Sequence, residues 1–120
     1  MNIANVTVLL VYALGMSIGQ VLFKLAADHA KRDAQGALID RLLLNRHFAL
    51  AVMVYGAMTI LWVWILMRVP LSRAYPFVAL AFVLTPAFAF FIFKEPLNVW
   101  YFFGSALILL GLLVLVVKAA

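Results

Sequence analysis

Residues 48–93 read FALAVMVYGAMTILWVWILM, then RVPLSR, then AYPFVALAFVLTPAFAFFIF: two uncharged runs of 20 residues on either side of six residues that hold two arginines. A helix rises 1.5 Å per residue, so roughly 20 residues cross the hydrocarbon core of a bilayer, which is about 30 Å thick. Six residues cannot carry the chain back across. The two runs therefore read as an antiparallel helical hairpin. Neither alternates apolar with polar residues, which excludes the strands of a membrane β-barrel.

Working outward, Lys94–Pro96 leads into a further uncharged run, Leu97–Val117, and a fourth precedes the hairpin at Ile3–Phe23. The four runs (3–23, 48–67, 74–93 and 97–117) take 82 of the 120 residues, so residues 1–120 read as a single four-helix transmembrane domain. The fold class is an all-α membrane protein of up-down hairpins. Composition agrees: 69% of residues are hydrophobic, mean hydropathy is +1.19, and 11% are charged, against about 25% in soluble domains. A soluble chain of this size could not bury so much apolar surface. A disulfide scaffold is excluded because cysteine is absent, and a nucleic-acid reader or soluble enzyme is excluded by the greasiness of the chain. The net charge of +5 suits lipid head groups.

The first run is not expected to be a cleaved signal peptide, since no Lys or Arg precedes it and it exceeds a signal h-region in length. The long connection, residues 24–47, opens with polar residues including Asp28, His29, Lys31, Arg32, Asp33 and Gln35. It then turns amphipathic over 37–46, as either a short interfacial helix or an N-terminal extension of the second span. Six basic residues (Lys24, Lys31, Arg32, Arg41, Arg46, Lys94) fall on one side and three (Arg68, Arg73, Lys118) on the other. This bias places both termini on the outer side, with an inverted copy in the same membrane as the alternative.

Four short helices are too few to enclose a transport path. Two such units packed in opposite senses would reproduce the inverted-repeat logic of secondary transporters, each chain being half of a dimer. Candidate packing or hinge positions are Gly15 and Gly19 in the first run, Gly104 and Gly111 in the last, and Pro86, which should kink the third. Pro70 breaks the second run, and Pro76 falls in the first turn of the third. The polar residues at membrane depth are few. Gln20 needs a hydrogen-bond partner, as helix glue or as a substrate contact, and Tyr55 needs one for its hydroxyl. Lys24 can snorkel to the interface, while Trp62 and Trp64 fit an aromatic belt.

The acids Asp28, Asp33, Asp40 and Glu95 all fall in connections or at helix ends. No carboxylate stands at membrane depth, where proton relays and cation sites need one. Lys24, Arg68 and Arg73, near the boundaries, suit an anion such as a phosphate. His29 and His47 share one polar connection without an acid–nucleophile arrangement. No enzyme, metal site or cofactor is expected.

The segments IGQVLFK (18–24), RVPLSRAYP (68–76) and FKEPL (93–97), set among four short spans, resemble the drug/metabolite transporter superfamily. Within it the chain is similar to the small multidrug resistance proteins and, more closely, to the subunits that flip aminoarabinose-linked undecaprenyl phosphate. The multidrug pattern places its span 2 tyrosine on Tyr55, its span 3 tyrosine on Tyr75, the lysine after span 1 on Lys24, and its paired glycines on Gly104 and Gly111. Its defining glutamate falls on Met16, and its Gly-Val-Gly hinge is replaced by the region leading to Pro86. Both departures argue against proton-coupled drug export and are similar to the lipid-flippase branch. The resemblance implies a homodimer, or a heterodimer with a paralogous subunit, that moves a lipid-linked sugar across the bacterial inner membrane. The expected substrate-binding residues are Gln20, Lys24, Tyr55, Arg73 and Tyr75. The alternatives are a small-molecule or drug exporter of the same fold, and a non-transporting accessory subunit of a membrane glycosyltransferase.

Overall fold

The structure, a computed structural model, describes residues 2–32 and 36–119, with side chains up to Val117; Asp33, Gln35 and the Lys118 side chain lie outside the described residues. The helices are α1 (Ile3–Arg32), α2 (Leu38–Leu43), α3 (Arg46–Leu66), α4 (Leu71–Ala74), α5 (Ala79–Phe93) and α6 (Val99–Ala119). A 3₁₀ turn, Tyr75–Val78, joins α4 to α5. Among the described residues, four segments are long and apolar enough to cross a membrane: α1, α3, the stretch Leu71–Phe93, and α6.

Two boundaries differ from the hydropathy reading. The first helix does not stop at Phe23 but runs on to Arg32. The residues after Phe23, KLAADHAKR, are rich in Ala, Lys and Arg, which are strong helix formers; their polarity marks the membrane edge rather than the helix end. The third span begins before Ala74, at Leu71, so Arg73 is helical rather than part of the turn. Pro70 caps this start, its carbonyl accepting from the backbone N–H groups of Arg73 and Ala74 at 3.0 Å each. Pro76 opens the 3₁₀ turn, where its missing N–H costs little. Pro86 sits inside a continuous α5, where it withholds a donor from the Phe82 carbonyl.

The 37–47 segment is a separate six-residue helix, α2, parted from α3 by Leu44 and Asn45. Asn45 does two jobs. Its Oδ1 accepts from the backbone N–H of His47 (3.0 Å) and Phe48 (3.3 Å), capping α3. Its Nδ2 donates to the Ala26 carbonyl of α1 at 2.9 Å, and the side chain is buried. A second tie comes from Arg41, whose Nη1 donates to the Ala30 carbonyl at 2.9 Å.

Helix α1 is the centre of the molecule, packed chiefly on α3 and next on α5. A core of Leu9, Tyr12, Ile65, Val69, Ala74, Phe77 and Leu112 gathers at one end, where the start of α1 meets the end of α3, the Pro70 turn and α6. Helices α1 and α5 are also joined at mid-span by a hydrogen bond between Thr85 and Ser17, 3.3 Å long. Helix α6 is held to α5 by the Tyr101 hydroxyl, which donates to the Val83 carbonyl at 2.6 Å.

Candidate functional site

A groove in two parts lies between α1 and α5. Its upper part, about 340 Å³, is lined by Met16, Gln20, Tyr55, Phe82, Thr85 and Pro86, among others. A lower part of about 200 Å³ shares Gln20 and Thr85 and continues along Lys24, Ala89 and Phe93 to Glu95. The two adjoin at Gln20 and Thr85 and together reach from mid-span to the end where α5 turns into α6. The groove's walls are mainly apolar, with polar groups at a few points, as in small-molecule binding sites generally.

At its centre the Gln20 Nε2 donates to the Tyr55 hydroxyl, which in turn faces the Met16 carbonyl at 3.5 Å. Each of these residues requires a partner at membrane depth, and each is the other's. The Tyr55 ring lies so close to Gly19 that a side chain there would collide with it, and it tilts against Phe23 with ring centroids 5.0 Å apart. A second polar link crosses the groove: the Thr85 hydroxyl of α5 donates to Ser17 Oγ at 3.3 Å, and Ser17 donates to its own Ala13 carbonyl at 3.1 Å. Sequence reasoning missed Ser17 and Thr85. Small hydroxyls in helices ordinarily bond their own preceding turn, so nothing in the pattern sets them apart.

At the lower mouth, Lys24 Nζ pairs with Asp28 Oδ1 at 3.3 Å, both side chains standing partly in solvent. This is the one ion pair among the described residues. Glu95 is exposed beside the same mouth and enters no ion pair there. It follows Lys94, whose left-handed backbone (φ 57°) ends α5.

Of the five residues expected to bind substrate, Gln20, Lys24 and Tyr55 share this groove, while Arg73 and Tyr75 line neither part of it. Tyr75 is exposed and sets its ring edge-on to Trp62 (6.3 Å), which stacks on Tyr12 (4.9 Å). Arg73 is exposed on α4. Trp62 is therefore part of an internal aromatic chain, whereas Trp64 is exposed and carries the Arg68 guanidinium over its ring at 4.2 Å. The glycine pairs also divide. Gly15 and Gly19 are pressed against Met58 and Tyr55 of α3, whereas Gly104 and Gly111 have open space around them. His29 and His47 sit edge-on to one another at 6.1 Å.

Among the described residues, four segments long and apolar enough to span a bilayer make this a multi-pass membrane protein, in keeping with a bacterial inner membrane. The chain matches the EamA-like transporter family over residues 2–117 and belongs to it. Its relatives include proteins named probable 4-amino-4-deoxy-L-arabinose-phosphoundecaprenol flippase subunit ArnE. That of Enterobacter sp. (strain 638) is 33% identical over 110 residues, which is 90% of this chain and 94% of the relative. That of Pseudomonas aeruginosa (strain UCBPP-PA14) is 33% identical over 111 residues, covering 92% and 96%. A shorter match, to Pseudomonas fluorescens (strain Pf0-1), is 39% identical over 66 residues, 55% of this chain, and spans 58% of that relative. No solved structure matches.

Proposed function

We propose that the chain is one subunit of a dimeric transporter that moves a polyprenyl-phosphate-linked sugar, or a similar anionic lipid, across the bacterial inner membrane. The observation that carries this reading is the pair of adjoining cavities between α1 and α5, with Gln20, Tyr55 and Thr85 inside and Lys24 at one mouth. A lipid tail can stay in the bilayer while its head group travels such a slot. Its phosphate needs a cation or hydrogen-bond donors at every stage. Lys24 supplies the first, and the Gln20 amide, released from Tyr55, supplies the next. One chain leaves the slot open on one side, so a second subunit forms the other wall. Helix α6, apolar and mostly exposed, is free to meet it. The relatives' description as flippase subunits supports the same reading.

The test is binding to the purified chain of a short-chain polyprenyl phosphate and of a lipophilic cation, tetraphenylphosphonium. The phosphate should bind in preference. A charge-assisted hydrogen bond contributes about 1.5–3 kcal/mol, so Lys24→Ala should weaken phosphate binding by roughly ten- to a hundredfold. Gln20→Ala should slow transfer across reconstituted vesicles more than it weakens binding. Preference for the cation would replace this reading with that of a drug exporter.

A further inference from the structure

A second cavity, of about 500 Å³, shares no residue with the groove and lies where the end of α1 meets α2 and the start of α3. Phe23, Phe48, Leu38 and Leu42 give it apolar walls, and Lys31 and Arg41 give it two cations. Its depth relative to the bilayer follows from α1. Phe23 ends the apolar run, and Ala30 and Lys31 lie seven and eight residues farther along the same helix, about 10–12 Å at 1.5 Å per residue. The aromatic floor thus stands at the hydrocarbon edge and the cations in the head-group layer.

Among the described residues neither cation is paired with an acid. Arg41 is aimed by one hydrogen bond, from Nη1 to the Ala30 carbonyl, and its Nε, shielded from solvent, has no partner. An arginine held in place through one terminal nitrogen can offer the other to an oxyanion, and a basic pocket between helices at the membrane surface recognises lipid head groups. We propose that this cavity is a resident site for an acidic phospholipid of the surrounding bilayer. Its phosphate lies between Lys31 and Arg41, and the upper part of an acyl chain rests on Leu38, Leu42, Phe23 and Phe48. The lipid joins α1 to α2 and supplies a countercharge to Lys31 and Arg41. This site stands apart from the transport reading.

The experiment offers the full-length protein, purified in a non-ionic detergent, an equimolar mixture of dioleoyl phosphatidylglycerol and dioleoyl phosphatidylcholine, and reads retained lipid by native mass spectrometry. Phosphatidylglycerol should be retained in preference. Each basic residue near an acidic head group contributes about 1 kcal/mol, or roughly a fivefold change in affinity. Lys31→Gln should therefore weaken retention about fivefold, and Lys31→Gln with Arg41→Gln about twenty-five-fold. Arg41 also ties α2 to α1, so Lys31→Gln, at an exposed position, is the variant that tests charge without disturbing the fold. Equal retention of both lipids by the native protein would overturn the proposal. So would undiminished retention by Lys31→Gln, or an equal loss on Lys24→Gln, which would move the lipid to the groove. Failure of the transport reading would instead appear as Lys24→Ala leaving polyprenyl phosphate binding unchanged.

Discussion

Helices α1 and α6 each carry a pair of glycines in an apolar run, and the two pairs do different things. In α1, Gly15 and Gly19 let α3 come close enough for Met58 and Tyr55 to lie directly on the α1 backbone. Leu9, Ala13 and Ser17 of the same helix are wholly buried. In α6 nothing approaches Gly104 or Gly111, and Trp100, Phe102, Phe103, Leu107 and Leu110 are exposed. The pattern of small residues is the same; what differs is whether the chain has already used it. Without a hydrophobic driving force between helices in lipid, close packing and interhelical hydrogen bonds hold them together. On α1 both are present. On α6 the chief internal tie is the Tyr101–Val83 hydrogen bond.

The comparison is broken most severely at Gly19. A side chain there meets the Tyr55 ring, so Gly19→Val must push Tyr55 away from α1 and separate its hydroxyl from Gln20. Overpacking costs about 1–3 kcal/mol, and loss of the polar pair adds to it. Unfolding in mixed detergent–SDS micelles should show destabilisation at the upper end of that range, together with loss of polyprenyl phosphate binding. Native stability in Gly19→Val would mean that α1 and α3 are not held at the spacing described.

A smaller effect is expected at the other end of the same seam. Asn45 caps α3 and grips the Ala26 carbonyl. Removing an N-cap side chain costs about 0.5–2 kcal/mol, and the Ala26 carbonyl lies inside α1, where the helix supplies a second donor. Asn45→Ala should therefore lose about 1–2 kcal/mol by the same unfolding measurement, while Asn45→Asp, which keeps the cap but not the donor, should recover part of it. Equal loss in both variants would assign the whole effect to the contact with α1.

These cases mark where the sequence is readable. The four spans follow from hydropathy alone, because the bilayer leaves a helix of about 20 residues as the simplest way to satisfy every backbone group. The length of α1 does not follow, because Lys24–Arg32 is as good a helix as it is a polar segment. That Gln20 and Tyr55 each need a partner is legible in the residue types. That they find each other depends on the register of α1 against α3, which no single span encodes. Charge alone groups Arg73 with them; its place, exposed on α4 and away from the cavities between α1 and α5, depends on where the third span begins. Asn45 did carry a signal, as an Asn three residues before the apolar run that begins at Phe48, although its grip on Ala26 did not.

The finest distinction is between an alanine at Gly15 and one at Gly104 or Gly111. At Gly15 the new methyl meets the sulfur and terminal methyl of Met58, the movable end of an unbranched side chain that readily adopts another rotamer. The cost should stay below about 1 kcal/mol, because alanine also recovers roughly that much helix propensity over glycine. At Gly104 and Gly111 a methyl meets nothing within the chain, so the propensity gain is unopposed. Gly104→Ala and Gly111→Ala should each match or slightly exceed the native stability of the single chain, measured at detergent-to-protein ratios that keep it dispersed. The same variants measured at high protein-to-detergent ratio then read what the single chain leaves unspecified. A stability loss that appears only there, and grows with protein concentration, would mean that a second subunit packs against these glycines. Loss at every concentration would mean that α6 lies closer to its own chain than the open space around Gly104 and Gly111 allows.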